Sequence, residues 1–186
     1  LDGMAWGMVP RTIGGPYTGL VAEQLRAAGA KLIVGLSSAG RVSSQLPLPS
    51  LVVATEAVRD EGTSLHYLPP SPRVQCPSGI SAPLLAELPA TGWHVESGPV
   101  WTTDAPYRET LSQLQHWAAN GVLAVEMQAA SLFAFGAARG VGVALVAVVS
   151  NAVDHTGESF DTVTPSDGRR IAHAIARAGQ RFLCSL

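Results

Sequence analysis

Four short polar segments stand where runs of apolar residues end: Ser37-Ser38-Ala39-Gly40, Thr102–Tyr107, Glu126–Gln128 and Ser150–Asp154. Each carries side chains of use at a bond-breaking centre. Ser37 and Ser38 have hydroxyls that donate to an oxyanion, and Ala39 and Gly40 are small enough to let a ligand approach the backbone. An ordinary turn has the same composition. Glu126 and Gln128 open a very apolar stretch, where polar side chains are costly unless they find partners. They are helix caps or ligand groups. Asn151 and Asp154 follow the most hydrophobic run of the chain, as a cap or Asx-turn on one reading and as a donor and an acid on the other.

The elements that must position these groups follow from periodicity. Tyr17 to Ala28 has apolar residues at helical spacing, with Gly29 as its stop. Lys31 to Leu36 and Leu51 to Ala54 read as buried strands, and Pro69 to Pro77 as irregular chain. Ser81 to Leu88 is a short helix, Val95 to Thr103 a strand with a bulge expected at Gly98-Pro99, and Tyr107 to Ala119 a helix. Val122 to Val125 is a strand, followed by a helix from Met127 to Arg139 that is apolar almost all round and so buried on several sides. The continuous apolar run Val141 to Ser150 marks a central strand covered on both faces. Ser166 to Leu183 closes the chain as an amphipathic helix with Ile171, Ile175, Ala178 and Phe182 on one face.

Alternating strands and helices predict an α/β protein of three layers, helices on both faces of a central mixed, largely parallel sheet. Ligands in such sheets settle beyond the carboxyl ends of strands, where all four polar segments fall. The 186 residues suit one domain, 1–186. With 47% apolar and only 14% charged residues the chain is not disordered, and a net charge of −2 offers no footprint for a nucleic acid polymer. Val141 to Val149 is too short to span a membrane, and the N-terminus shows no secretory pattern, so a cytoplasmic protein is expected. Cys76 and Cys184 lack disulfide-framework spacing, and His94, His116, His155 and His173 lack metal-ligand spacing, so neither a metal nor a cofactor is expected.

In their order and spacing, several motifs resemble the nucleoside phosphorylase and nucleosidase family, particularly its uridine phosphorylase-like branch. They are Ile13-Gly-Gly-Pro16, Val58-Arg-Asp-Glu-Gly-Thr-Ser-Leu-His-Tyr67, Trp101-Thr-Thr-Asp-Ala-Pro-Tyr-Arg108, Val125-Glu-Met-Gln-Ala-Ala130 and Val148-Val-Ser-Asn151. The resemblance implies cleavage of the N-glycosidic bond of a purine or pyrimidine nucleoside by phosphate, giving free base and ribose 1-phosphate. Alternatives are a nucleosidase using water and a non-catalytic nucleoside-binding relative. It further implies a homodimer or higher homo-oligomer. Carried over to this chain, it sets Ser37, Ser38 and Gly40 beside the phosphate or other nucleophile, and Glu126, Met127 and Gln128 around the ribose. Thr103, Pro106, Tyr107 and Asn151 then lie along the base, with Asn151 and Asp154 as the catalytic candidates.

The pattern is not followed everywhere. Gln128 stands where the family has glutamate, so the sugar meets a neutral amide in place of a charged acceptor. Gly35 stands where uridine-type phosphorylases have arginine, the residue suited to clamp phosphate, and Ser38-Ala39-Gly40 is similar to the hydrolytic branch. The glutamine and arginine that read uracil are missing after Tyr107, where Arg108 stands instead. Family members also have residues before Ile13, including a glycine-rich phosphate loop, that this sequence does not contain.

Overall fold

Residues 142–149 alternate without a polar interruption between two sets of apolar partners, and this strand organises the fold. In the computed structural model, which describes residues 5–153 and 163–185, the last strand, β6 (Gly142–Ala152), turns Val143, Leu145, Ala147 and Val149 to one core and Ala144, Val146 and Val148 to another. Both faces are covered because successive side chains of a strand point opposite ways. The first core lies against helices α1 (Gly15–Ala27) and α4 (Ala129–Arg139), the second against α2 (Ser81–Glu87) and α5 (Pro165–Cys184). Ile171 and Ala178 of α5 are fully buried, with Ile175 and Phe182 packed beside them, as the amphipathic spacing predicts.

The remaining strands are β1 (Leu32–Arg41), β2 (Ser50–Asp60), β3 (Arg73–Gln75), β4 (His94–Thr103) and β5 (Ala124–Glu126). They form a six-stranded mixed sheet in the order β3-β2-β4-β5-β1-β6. The two long pairings, β1 with β6 and β2 with β4, are parallel, whereas β1–β5 and β2–β3 are antiparallel. The sheet also curls round on itself, because Ser50–Val53 of β2 pairs antiparallel with Val146–Val149 of β6. A third cluster, Val58, Trp101, Leu114, Val122 and Val125, sits under α3 (Leu111–Ala119). The chain is thus a mixed α/β fold with a central sheet flanked by helices.

Three expectations need correction. Ser37–Gly40 is not a turn after a strand but the second half of β1, paired with Ala147–Asn151. Pairing on one side sustains extended backbone through residues of low apolarity. Pro69 to Pro77 is not wholly irregular, since Arg73–Gln75 adds β3 to the free edge of β2. The helix expected from Tyr107 starts only at Leu111. Pro106–Arg108 instead makes a separate 3₁₀ turn, and a capping box between Thr110 and Gln113 begins α3 afresh.

Candidate active site

The N-terminus of α4 brings a carboxylate to the strand ends. Its first turn leaves backbone N–H groups without helical partners, and Glu126, at the end of β5, accepts from the N–H of Gln128 at 2.6 Å and of Ala129 at 3.0 Å. Thr102 extends the arrangement: its hydroxyl accepts from the Ala130 N–H at 3.0 Å and donates to Glu126 at 2.6 Å. Glu126 is buried, and desolvation pushes its carboxyl up to about 7 against the opposing pull of these donors. Its side chain is the cap that the sequence allowed. Gln128, by contrast, caps nothing: its side-chain amide donates to the Thr12 carbonyl at 2.7 Å.

Around this helix start lies a large cavity. Ser37, Ser38, Gly40, Pro106, Tyr107, Glu126, Met127, Gln128 and Asn151 all line it. Strand alternation separates the two serines. Ser37 is buried and donates to the Ser38 carbonyl at 3.2 Å, while Ser38 is exposed to the cavity and its hydroxyl has no hydrogen bond among the described residues. Gly40 is required by close approach, since a Cβ there would overlap the Val153 side chain. Directly opposite, β6 carries an extra residue: Ala39 pairs with Val149 but Gly40 with Asn151, leaving Ser150 as a bulge. A bulge re-aims the side chain that follows it, and Asn151 stands there, half-buried in the cavity wall.

Thr103 does not join this group. It is buried outside the cavity lining, and its hydroxyl accepts from the Ala105 N–H at 3.2 Å, holding the turn that leads to Pro106. Asp154 lies outside the described residues. Asp104 is no part of the site either, accepting from the Gly62 N–H at 3.0 Å.

The cavity wall also contains residues that the sequence did not single out. Arg11 is one, held at a positive φ of 61° that is uncommon for a non-glycine residue. Thr18 of α1 is buried, and its hydroxyl has no hydrogen-bond partner among the described residues. Half-buried Glu109, beside Tyr107, is raised by desolvation to about 7. No motif pointed to these three, because they enter through the segment Ala5–Ile13, the inner side of α1 and the 3₁₀ turn. Only Ile13-Gly-Gly-Pro16 hinted at that region. Gly15 there lets α1 close onto Ser131, Thr63 and Glu61, since a Cβ would overlap the Ser131 hydroxyl, itself donating to Glu61 at 2.7 Å.

Chemically, the cavity joins a neutral amide donor at Asn151, a free hydroxyl at Ser38, the apolar Met127 with the Gln128 amide, and the cation Arg11. Among the described residues no cluster of three metal-ligating side chains occurs, and no helix is long and apolar enough to cross a membrane.

Comparison with known proteins identifies the family. Residues 5–182 match the phosphorylase superfamily, and the chain belongs to it. It is 28% identical to a guanosine phosphorylase of Halorubrum lacusprofundi over 74% of this chain and 57% of that protein. With a uridine phosphorylase of Salmonella typhimurium it shares 23% identity over 98% of this chain and 78% of the relative. A uridine phosphorylase of Treponema pallidum is 31% identical over 74% of this chain and 57% of its own length. The chain thus spans little more than half of the guanosine phosphorylase that it matches.

Proposed function

We propose that this protein is a nucleoside phosphorylase: it cleaves the N-glycosidic bond of a purine or pyrimidine nucleoside with inorganic phosphate, releasing free base and a sugar 1-phosphate. The observation that carries the reading is that Ser38, Met127, Gln128 and Asn151 all line one cavity. In this reaction the C1′–N bond breaks with its electron pair passing to the base, and a phosphate oxygen bonds to C1′ from the opposite face. The base nitrogen gains a proton. The sugar passes through an oxocarbenium-like state, and the charge growing on the base is met by the Asn151 amide. Asparagine donates a hydrogen bond without giving up a proton, so the proton comes from phosphate or water. Met127 lies against the sugar and Gln128 faces its hydroxyl-bearing edge, which fixes C1′ for attack. Pro106 and Tyr107 flank the base, and Glu126 holds the sugar wall by capping α4.

Phosphate needs a cation, and Arg11, next in sequence to the Thr12 whose carbonyl accepts from Gln128, lines the same cavity. Ser38 and Thr18 add hydroxyl donors. The expected result is base release from a nucleoside panel that depends on phosphate, with Arg11→Ala raising KM for phosphate about tenfold or more. Equal release with and without phosphate would establish the second reading, a nucleosidase. One observation favours that reading: a Cβ at Gly35 would press on Leu145 and Leu132, so a side chain at this point of β1 meets tight apolar packing. The assembly proposed is a homodimer or larger homo-oligomer, and a monomer by light scattering would refute it.

A further inference from the structure

The Gln128 amide nitrogen donates to the Thr12 carbonyl oxygen at 2.7 Å. Only an N–H group can face a carbonyl oxygen at that distance, so chemistry fixes the orientation of the amide. Its other end, Oε1, accepts no hydrogen bond from any described residue, and it is not among the side-chain atoms sealed from solvent without a partner. The residue as a whole is only 8% exposed and lines the cavity beside Met127. Gln128 therefore offers one neutral acceptor oxygen, with one of its two N–H groups committed to Thr12.

A ribose presents two neighbouring hydroxyls, each wanting an acceptor. A carboxylate meets such a pair with two charged oxygens, one to each O–H. The amide Oε1 of Gln128 has two lone pairs but no charge and only one position, so it meets one hydroxyl at good geometry and the other weakly. The second then gives up its water for a weak partner or none, which counts against the substrate that has it. A glutamate at 128 could not keep the present geometry either, because it would set an acceptor against the Thr12 carbonyl.

We propose that the sugar subsite is shaped by Gln128 and Thr12 for a sugar with a single hydroxyl on that edge, making 2′-deoxyribonucleosides its substrates in preference to ribonucleosides. The inference rests on the reading of Met127 and Gln128 as the sugar wall of a nucleoside-cleaving site. With a 2′-deoxynucleoside the atoms balance as before: phosphate oxygen replaces the base at C1′, and base and 2-deoxyribose 1-phosphate leave.

Matched pairs test it: guanosine with 2′-deoxyguanosine and uridine with 2′-deoxyuridine, followed by kcat/KM with phosphate and by Kd from calorimetry. The deoxy member of a cleaved or bound pair is expected to be favoured. Gln128→Glu is expected to move the deoxy-to-ribo ratio at least about tenfold towards ribose, by adding a charged acceptor. Gln128→Met, which keeps the length and removes the acceptor, is expected to weaken both members and leave the deoxy member ahead. That second variant and the wild-type ratio decide the matter should Gln128→Glu fail to fold. A wild-type preference for the ribonucleoside, or a folded Gln128→Glu with an unmoved ratio, overturns the inference while leaving the nucleoside reading intact. The absence of both turnover and binding for every pair overturns both readings.

Discussion

Glu126 and Gln128 are two residues apart, yet their side chains go to unrelated partners. The carboxylate is committed to the first turn of α4 and to Thr102, the amide to Thr12. Replacing Glu126 by glutamine turns an acceptor into an N–H group facing backbone donors. Glu126→Gln is therefore expected to cost about 1–3 kcal/mol of stability, read by denaturant unfolding. Asn151 has a different task. If its amide meets the charge growing on the base, Asn151→Ala lowers kcat about 10²–10³-fold and leaves the unfolding midpoint nearly unchanged. A variant with undiminished kcat would remove Asn151 from the reaction.

At the scale of elements, the site depends on how α1, β1 and β6 approach each other. Among the described residues β1 pairs with β5 only through Gly40 and Arg41, so on that side its edge from Leu32 to Ala39 has no strand partner and forms part of the cavity wall. Glycines at close approaches, Gly15 and Gly40 among them, set the spacing. Gly40→Ala places a methyl group into Val153 and is expected to displace the end of β6, where Asn151 stands. The cost expected is about 1–3 kcal/mol with a concurrent loss of turnover, measured by unfolding and by base release. Leu145→Ala, in the middle of β6 and fully buried, removes packing at the first core. It is expected to cost about 2–5 kcal/mol without changing which nucleoside is preferred.

Taken whole, the molecule should respond to pH through its buried acids. Burial raises Glu126 to about 7 from its ordinary value of 4.5, so the folded state holds a proton that the unfolded chain releases earlier. Its contribution to stability is fully present below about 4.5 and is lost as pH rises towards about 7. Glu109 shifts in the same direction. Stability of the wild type is expected to fall across this window, by an amount on the order of 3 kcal/mol for Glu126 alone. The difference between wild type and Glu126→Gln, followed by denaturant unfolding from pH 4.5 to 8, isolates that share. A flat difference would show that the donors around Glu126 outweigh its burial.

Periodicity determined the order and kind of the main elements, because a period of two or of 3.6 residues is written locally in the chain. Val141 to Ser150 could only be a strand covered on both faces, and Ile171, Ile175, Ala178 and Phe182 could only be one face of a helix. The motifs pointed to Ser38, Met127, Gln128 and Asn151 as one site, but it is the antiparallel register of β5 beside Gly40 of β1 that sets them along one cavity. What the chain could not reveal locally was where side chains find distant partners. That Glu126 caps α4 while Gln128 reaches Thr12, 116 residues away in sequence, depends on how β5 and the segment Ala5–Ile13 are packed together. The same holds for Thr103, which turned inward to hold a turn, and for Arg11, which no motif marked but the fold brought to the cavity. Hydrogen-bond partners are chosen by three-dimensional proximity, and proximity is settled only when the strands have paired and the helices have packed on them.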